Sequence, residues 1–157
     1  MSMHVIDSYD EEDGRLDVRL LGLPVQRRRG PQVAQGEAYR YLAEIAWVPH
    51  AIVANSQLTW RDVDERTVEV STSVRSEQII VRLIFNERGE IAKTVAERPR
   101  LEAGNAVTRW IGEYAGYERL GGLLVPTRGE VSWELADGPF TYWRGTITSL
   151  EVISDRA

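Results

Sequence analysis

Two carboxylates and a phenol are spaced so that a helix would place them on one side. Glu37, Tyr41 and Glu44 follow one another at intervals of four and three residues, and residues 37–49 have the apolar spacing of a helix. Two carboxylates in a partly desolvated site can have their pKa values moved apart, as general acid and general base roles require. The structural alternative is that Glu44 neutralises Arg40 and that Glu37 favours the helix dipole. We favour the structural interpretation.

His50 is the other candidate for acid–base chemistry. It follows the helical segment, and Asp62 or Asp64 could supply a partner acid if residues 58–64 fold back toward it. A hydrolase-like or isomerase-like enzyme using Glu37, Glu44 or His50 is therefore an alternative function. It requires these groups to converge in a cleft that water can enter.

Metal chemistry has little support in the sequence. The chain has two histidines and no cysteine, and its histidines lack the spacing of a zinc site. Residues 10–13 are acidic but do not match a calcium loop, so they indicate a hairpin turn. We predict no metal ion, no cofactor and no catalytic residue.

Five tryptophans and six tyrosines are the most informative group for binding. Such side chains either fill the core of a sheet or line a cavity, where they offer an N–H or O–H group to a ligand. Arg82, Arg109 and Arg144 fall in strand patterns, and an inward arginine would favour an anionic head group. The residues predicted to contact a ligand are Tyr41, Glu44, Trp47, Trp60 and Trp133.

One helix and about seven to nine strands must position these residues. The helix is predicted to begin within residues 31–35 and to end by residue 48, because the residue before a proline leaves helical geometry. Alternating apolar residues predict strands, whereas residues 22–30 indicate a loop and residues 98–105 an irregular segment. The strand patterns cover residues 5–9, 15–21, 67–75, 78–85, 90–97, 107–118, 131–135 and 140–152. The predicted fold class is mainly β (α+β): a curved antiparallel meander sheet or half-barrel packed on one principal helix, in a single domain of residues 1–157.

Composition limits the classes of partner. The net charge of −5 opposes general nucleic-acid binding, which needs a clustered positive surface. The apolar runs are too short to span a membrane as helices, and the lack of cysteine suits a reducing compartment. We therefore expect a soluble cytoplasmic protein.

A set of motifs within residues 40–142 carries a family resemblance. These are Arg40-Tyr-Leu-Ala-Glu44, Trp47-Val-Pro49, Ala51, Trp60, Asn86-Glu-Arg-Gly89, Val125-Pro126, Trp133, Asp137-Gly138 and Tyr142. In these motifs the chain resembles an uncharacterised bacterial family of domains of unknown function, and the resemblance implies no activity. Because members of that family are often longer at the N-terminus, the resemblance implies that this chain corresponds to their C-terminal part.

A second resemblance concerns the run Leu120-Gly-Gly-Leu-Leu-Val-Pro126. Together with the strand pattern, it is similar to the half-barrel of bacterial lipoprotein carriers and localisation factors, in which a curved sheet and a helical lid enclose an apolar cavity. The leading hypothesis is accordingly a non-enzymatic domain that binds an amphipathic or lipid-like ligand between helix and sheet. A structural or assembly module that pairs a sheet edge with another subunit, as in a homodimer, is the remaining alternative.

Overall fold

A computed structural model describes residues 3–9, 14–20 and 23–151. Before residue 29 it describes the side chains of Arg15 and Asp17 alone, and the acidic turn predicted at residues 10–13 lies outside the described residues. The strands are β1 Met3–Tyr9, β2 Gly14–Leu20, β3 Leu23–Arg29, β4 Thr59–Asp64, β5 Thr67–Val74, β6 Glu77–Phe85, β7 Ile91–Arg100, β8 Ala106–Leu120, β9 Leu123–Leu135 and β10 Gly138–Thr146. The helices are α1 Pro31–Glu44 and α2 Ala51–Ala54, with a short 3-10 turn at Leu101–Ala103.

The strands form two antiparallel sheets with α1 between them. Strands β4 to β10 make a seven-stranded meander in which each strand pairs with its neighbour in sequence, so β4 and β10 are its edges. Strands β1 to β3 make a smaller sheet. Helix α1 contacts all three strands of the small sheet on one side and β5, β6 and β7 on the other. The prediction of a mainly β fold, with an antiparallel meander packed on one principal helix, is confirmed.

Helix α1 forms where the sequence predicts it. Pro31 occupies its first turn, where the missing N–H costs no hydrogen bond. Helical spacing predicts that Ala38, Tyr41, Leu42 and Ile45 share the face toward the core. Ala38, Leu42 and Ile45 are fully buried in the core, and Tyr41 is partly buried against it. The helix ends at Glu44, within the predicted limit of residue 48, and residues 45–47 form a turn.

Two segments predicted as irregular are strands. Residues 23–29, expected as a loop, form β3 and pair with β2. Strand β7 continues through Pro99 to Arg100, although proline lacks an N–H for the sheet. The pairing of β7 with β6 runs from Ile91 to Val95, whereas its pairing with β8 continues to Arg100. Residues 96–100 therefore lie beyond the β6 pairing, which is where a proline is tolerated.

An ion-pair cluster stabilises the face of the meander sheet that points away from α1, which we call the outer face. Glu69 on β5 accepts a hydrogen bond from Nε of Arg82 on β6 at 2.9 Å and pairs with Arg61 on β4. These two guanidinium groups, with the Arg82 hydrogen bond as the largest cause, lower the pKa of Glu69. The cluster ties the edge strand β4 to the interior of the sheet.

Replacing Glu69 by glutamine is expected to lower the free energy of unfolding at pH 7 by less than about 1 kcal/mol, because both arginines are exposed. A lowered folded-state pKa stabilises the protein above the ordinary carboxyl pKa of about 4.3, and this contribution is lost as the pH falls through the folded value. Urea denaturation at several pH values should therefore show the difference between E69Q and the parent disappearing in acid. A difference that grows in acid would contradict the stabilising role of this ion-pair cluster.

Candidate ligand-binding cavity

A cavity of about 450 Å³ lies between α1 and the half of the meander sheet that the helix does not cover. We call it the arginine cavity. Its floor is made by β7, β8, β9 and β10, and one side is made by the first turns of α1. Its size falls in the range typical of sites for small organic ligands. The lining residues are Gln32, Val33, Gly36, Glu37, Arg40, Arg98, Pro99, Arg100, Leu101, Glu102, Trp110, Trp133, Phe140 and Tyr142.

Strand alternation places two arginines of β7 in this cavity. Arg98 and Arg100 are two residues apart, so both side chains leave the same face of the strand. That face continues from the buried Thr94 and Ala96, which lie toward the core. The inner face of β7 therefore changes from core residues to guanidinium groups at the point where pairing with β6 ends.

Aromatic rings surround the Arg98 guanidinium. Its Cζ atom lies 5.0 Å from the ring centroid of Tyr39, 4.9 Å from that of Trp110 and 5.7 Å from that of Trp133. Each such contact is worth about 0.5–2 kcal/mol, depending on desolvation. Burial nevertheless lowers the pKa of Arg98, because desolvation disfavours its charge more than the neighbouring groups favour it.

Aromatic contacts also position Arg100 and the side of the cavity formed by β9 and β10. The Cζ atom of Arg100 lies 5.9 Å from the Trp133 ring. Tyr142 stacks on Trp133 with centroids 6.3 Å apart and accepts a hydrogen bond from Nε1 of Trp110 at 2.9 Å. A register shift in β10 between Thr141 and Trp143 accompanies this placement of Tyr142. Such bulges redirect side chains at sheet edges.

A smaller cavity of about 160 Å³ lies next to the first and shares Arg40, Trp110 and Tyr142 with it. We call it the tryptophan cavity. Trp47 makes edge contacts with Tyr114 and Trp143, at centroid distances of 5.1 and 5.9 Å. The lining residues are Arg40, Ala43, Glu44, Trp47, Trp110, Tyr114, Val131, Tyr142 and Trp143.

Hydrogen bonds hold the end of α1 above this smaller cavity. Nε1 of Trp47 donates to the carbonyl of Pro126 at 2.9 Å, and the Tyr114 hydroxyl donates to the carbonyl of Ala43 at 2.9 Å. Burial raises the pKa of Tyr114 to about 12, so this hydroxyl keeps its proton at neutral pH. A Cβ atom on Gly129 would lie 2.7 Å from the Trp47 ring, so the indole needs a glycine beneath it.

The five residues predicted to contact a ligand occupy different places. Trp133 lines the arginine cavity, and Glu44 and Trp47 line the tryptophan cavity. The Tyr41 hydroxyl accepts a hydrogen bond from Nδ2 of Asn55 at 2.8 Å, which ties α1 to the segment after α2. Trp60 is 36 % exposed on the edge strand β4, at the opposite edge of the sheet from β10.

The groups considered for catalysis do not share one cavity. Glu37 lines the arginine cavity and forms an ion pair with Arg40, three residues on. Glu44 lines the tryptophan cavity, and His50 is an exposed residue directly before α2. The convergence that the enzyme hypothesis requires is therefore not present among these three.

The three arginines considered as inward groups lie on the outer face instead. Each is exposed and forms an ion pair with a carboxylate on a neighbouring strand. The pairs are Arg82 with Glu69, Arg109 with Glu134, and Arg144 with Glu130. The arginines that reach the cavity, Arg98 and Arg100, were missed because Pro99 between them indicates an irregular segment rather than a strand. Strand alternation carried beyond Glu97 would have found them.

Gly36 allows α1 to approach Arg98, since a Cβ atom there would lie 3.2 Å from Nη2 of Arg98. Alanine at position 36 adds helix propensity of about 1 kcal/mol, and the guanidinium can move by a few tenths of an ångström. We expect G36A to keep or raise the free energy of unfolding in urea while it weakens binding of any ligand at Arg98. The contrasting variant is G129A, in which the new methyl group meets the rigid Trp47 indole and should lower the free energy of unfolding. If G36A lowered it to the same extent, the expected tolerance of position 36 would be contradicted.

Among the described residues, no group of three His, Cys, Asp or Glu side chains is arranged to hold a metal ion. Within the same residues, no helix has both the length and the apolar character needed to cross a membrane.

Comparison with known proteins identifies a family but no activity. The chain belongs to the family of unknown function DUF6544, which matches residues 1–145. The match confirms the resemblance to a domain family of unknown function and extends it to the start of the chain. Neither a curated protein nor a solved structure matches this sequence.

Proposed function

For this member of DUF6544, we propose that the domain binds an amphipathic, lipid-like small molecule and catalyses no reaction. The observation that carries the proposal is the arginine cavity itself, because it combines aromatic walls with guanidinium groups in a volume of about 450 Å³. Apolar walls with a few placed polar groups are characteristic of ligand sites. A core filled only for stability would close such a space.

The two cavities suggest how an elongated ligand would lie. The polar end would occupy the arginine cavity, and the apolar end would pass Trp110 and Tyr142 into the tryptophan cavity, since both residues line both spaces. The meander sheet would then act as a half-barrel with α1 as its cover. Trp133, Trp47 and Glu44 would contact the ligand, whereas Tyr41 and Trp60 would support the fold around it.

Native mass spectrometry of gently purified protein tests this function, together with small-molecule analysis of a denatured organic extract of the same sample. We expect a stoichiometric adduct that carries both a polar and an apolar part. A folded Trp133→Leu variant should lose the adduct, whereas Trp60→Leu should retain it. Protein that carries no adduct and binds no amphiphile in titration would overturn the proposal.

Assembly through the edge of the sheet is a second candidate function, favoured by one observation. Three large side chains of the edge strand β10 are about half exposed: Phe140, Tyr142 and Trp143. A second copy could cover them and pair with β10, which is an edge strand among the described residues. Sedimentation velocity distinguishes the two functions. A dimer that dissociates when Thr141 in β10 is replaced by proline would favour assembly. A protein that stays monomeric at high concentration would exclude assembly.

A further inference from the structure

The guanidinium groups of Arg98 and Arg100 differ from those of the outer face in their hydrogen bonding. Each outer-face arginine named above has a carboxylate within 3.4 Å. In the part of the chain that the structure describes, the Nε atoms of Arg98 and Arg100 are buried and have no hydrogen-bond acceptor. Both residues are only partly buried, but each Nε atom is removed from water without an acceptor of the kind that the outer-face arginines have among the described residues.

An unsatisfied buried donor is costly. Leaving one without an acceptor costs about 1–3 kcal/mol, and more when the group is charged. The aromatic rings around Arg98 offset part of this cost through their faces, but a ring face does not replace an acceptor in the plane of the guanidinium. Both side chains line the arginine cavity, so a ligand that enters it could give their guanidinium groups an acceptor that the described residues do not provide.

The charges of the cavity indicate what that acceptor is. Its lining contains three arginines, Arg40, Arg98 and Arg100, and two glutamates, Glu37 and Glu102. Arg40 is already paired with Glu37. The lining of the cavity therefore carries one net positive charge. A ligand group with one negative charge would balance it, whereas a group with two negative charges would leave an excess of negative charge.

Geometry narrows the choice further. The Nε and Nη donors of a guanidinium form a planar fork that matches the two oxygens of a carboxylate. The Arg98 guanidinium lies 4.9–5.7 Å from the ring centroids of Tyr39, Trp110 and Trp133, and these flat side chains would pack against a planar group more readily than against a tetrahedral one. We propose that the ligand of this domain is an amphipathic carboxylic acid whose carboxylate binds Arg98 and Arg100. This inference rests on the proposed binding function and adds the chemistry of the head group.

A series of probes with one chain and different head groups tests the inference on the unmodified protein. Dodecanoate, dodecanol and dodecyl phosphate would each be titrated below their micelle concentrations, with tryptophan fluorescence and calorimetry as readouts. Dodecanoate should bind at least about tenfold more tightly than dodecanol, because hydrogen bonds to a charged group are worth about that ratio or more. It should also bind more tightly than the phosphate.

Substitutions assign the preference to the two arginines. Arg98→Met and Arg100→Met should each reduce the preference for dodecanoate over dodecanol, whereas Arg109→Met on the outer face should leave it unchanged. If Arg98→Met does not fold, Arg98→Lys keeps a charge but loses the planar fork and should still weaken carboxylate binding.

These outcomes distinguish an error in the predicted head group from an error in the proposed binding function. Equal binding of dodecanoate and dodecanol, tighter binding of the phosphate, or a preference that survives both arginine substitutions would overturn the carboxylate inference and leave the binding function standing. Failure of every probe and of every co-purified adduct would overturn both.

Discussion

Replacing Leu42 by alanine is expected to lower the free energy of unfolding by about 2–5 kcal/mol. Leu42 is fully buried in the central cluster, where α1 meets the inner face of the meander sheet. The substitution removes apolar contacts and leaves a cavity that a helix held between two sheets cannot close easily. Urea denaturation followed by circular dichroism would give the difference.

Leu124→Ala is the matched control for this change. Leu124 is 46 % exposed on β9, so the same loss of atoms should cost less than about 1 kcal/mol. Equal costs at the two positions would contradict the placement of α1 against the sheet, and with it the position of the cavity beside the helix.

Replacing Trp47 by alanine is expected to lower the free energy of unfolding by about 3 kcal/mol. The indole donates a hydrogen bond to the Pro126 carbonyl and packs against the backbone of Gly129 and the ring of Tyr114. Its loss should detach the end of α1 from β8 and β9 and enlarge the tryptophan cavity. Chemical denaturation of the purified variant is the measurement.

Trp60→Ala is the control for the tryptophan substitution, because the same side chain is removed from the edge strand β4. We expect a cost of about 1 kcal/mol, since Trp60 keeps a third of its surface exposed. A Trp60→Ala variant as unstable as Trp47→Ala would show that the two rings have similar structural roles, and it would contradict the role of Trp47 in anchoring the end of α1.

Local pattern was sufficient to predict the fold in outline. Apolar alternation in residues 67–75, 78–85 and 90–97 specifies three sequential antiparallel strands, and the shared face of Ala38, Tyr41, Leu42 and Ile45 specifies the side of α1 that faces the core. These features are local in sequence, so periodicity alone reveals them. Strand β3 and the end of β7 were missed because glycine and proline are poor strand formers, whereas pairing with β2 and β8 makes both segments strands.

The cavity depends on contacts that no local pattern contains. Arg98 meets Tyr39, Trp110 and Trp133 from three different elements, and their convergence follows from strand register. The same register places Arg82, Arg109 and Arg144 on the outer face, and a strand pattern alone does not show which face an arginine occupies. The aromatic content of the sequence was therefore enough to suggest Trp47 and Trp133 as wall residues, but not to identify the arginines that reach the cavity.

The central claim is that an amphiphile lies in the arginine cavity with its polar end at Arg98. A crystal structure of the protein grown with saturating dodecanoate tests it most directly. We expect carboxylate oxygens within hydrogen-bond distance of the Arg98 guanidinium and an alkyl chain that passes Trp110 toward Trp47. An amphiphile bound elsewhere on the protein, or cavities that contain only water at saturation, would contradict the claim.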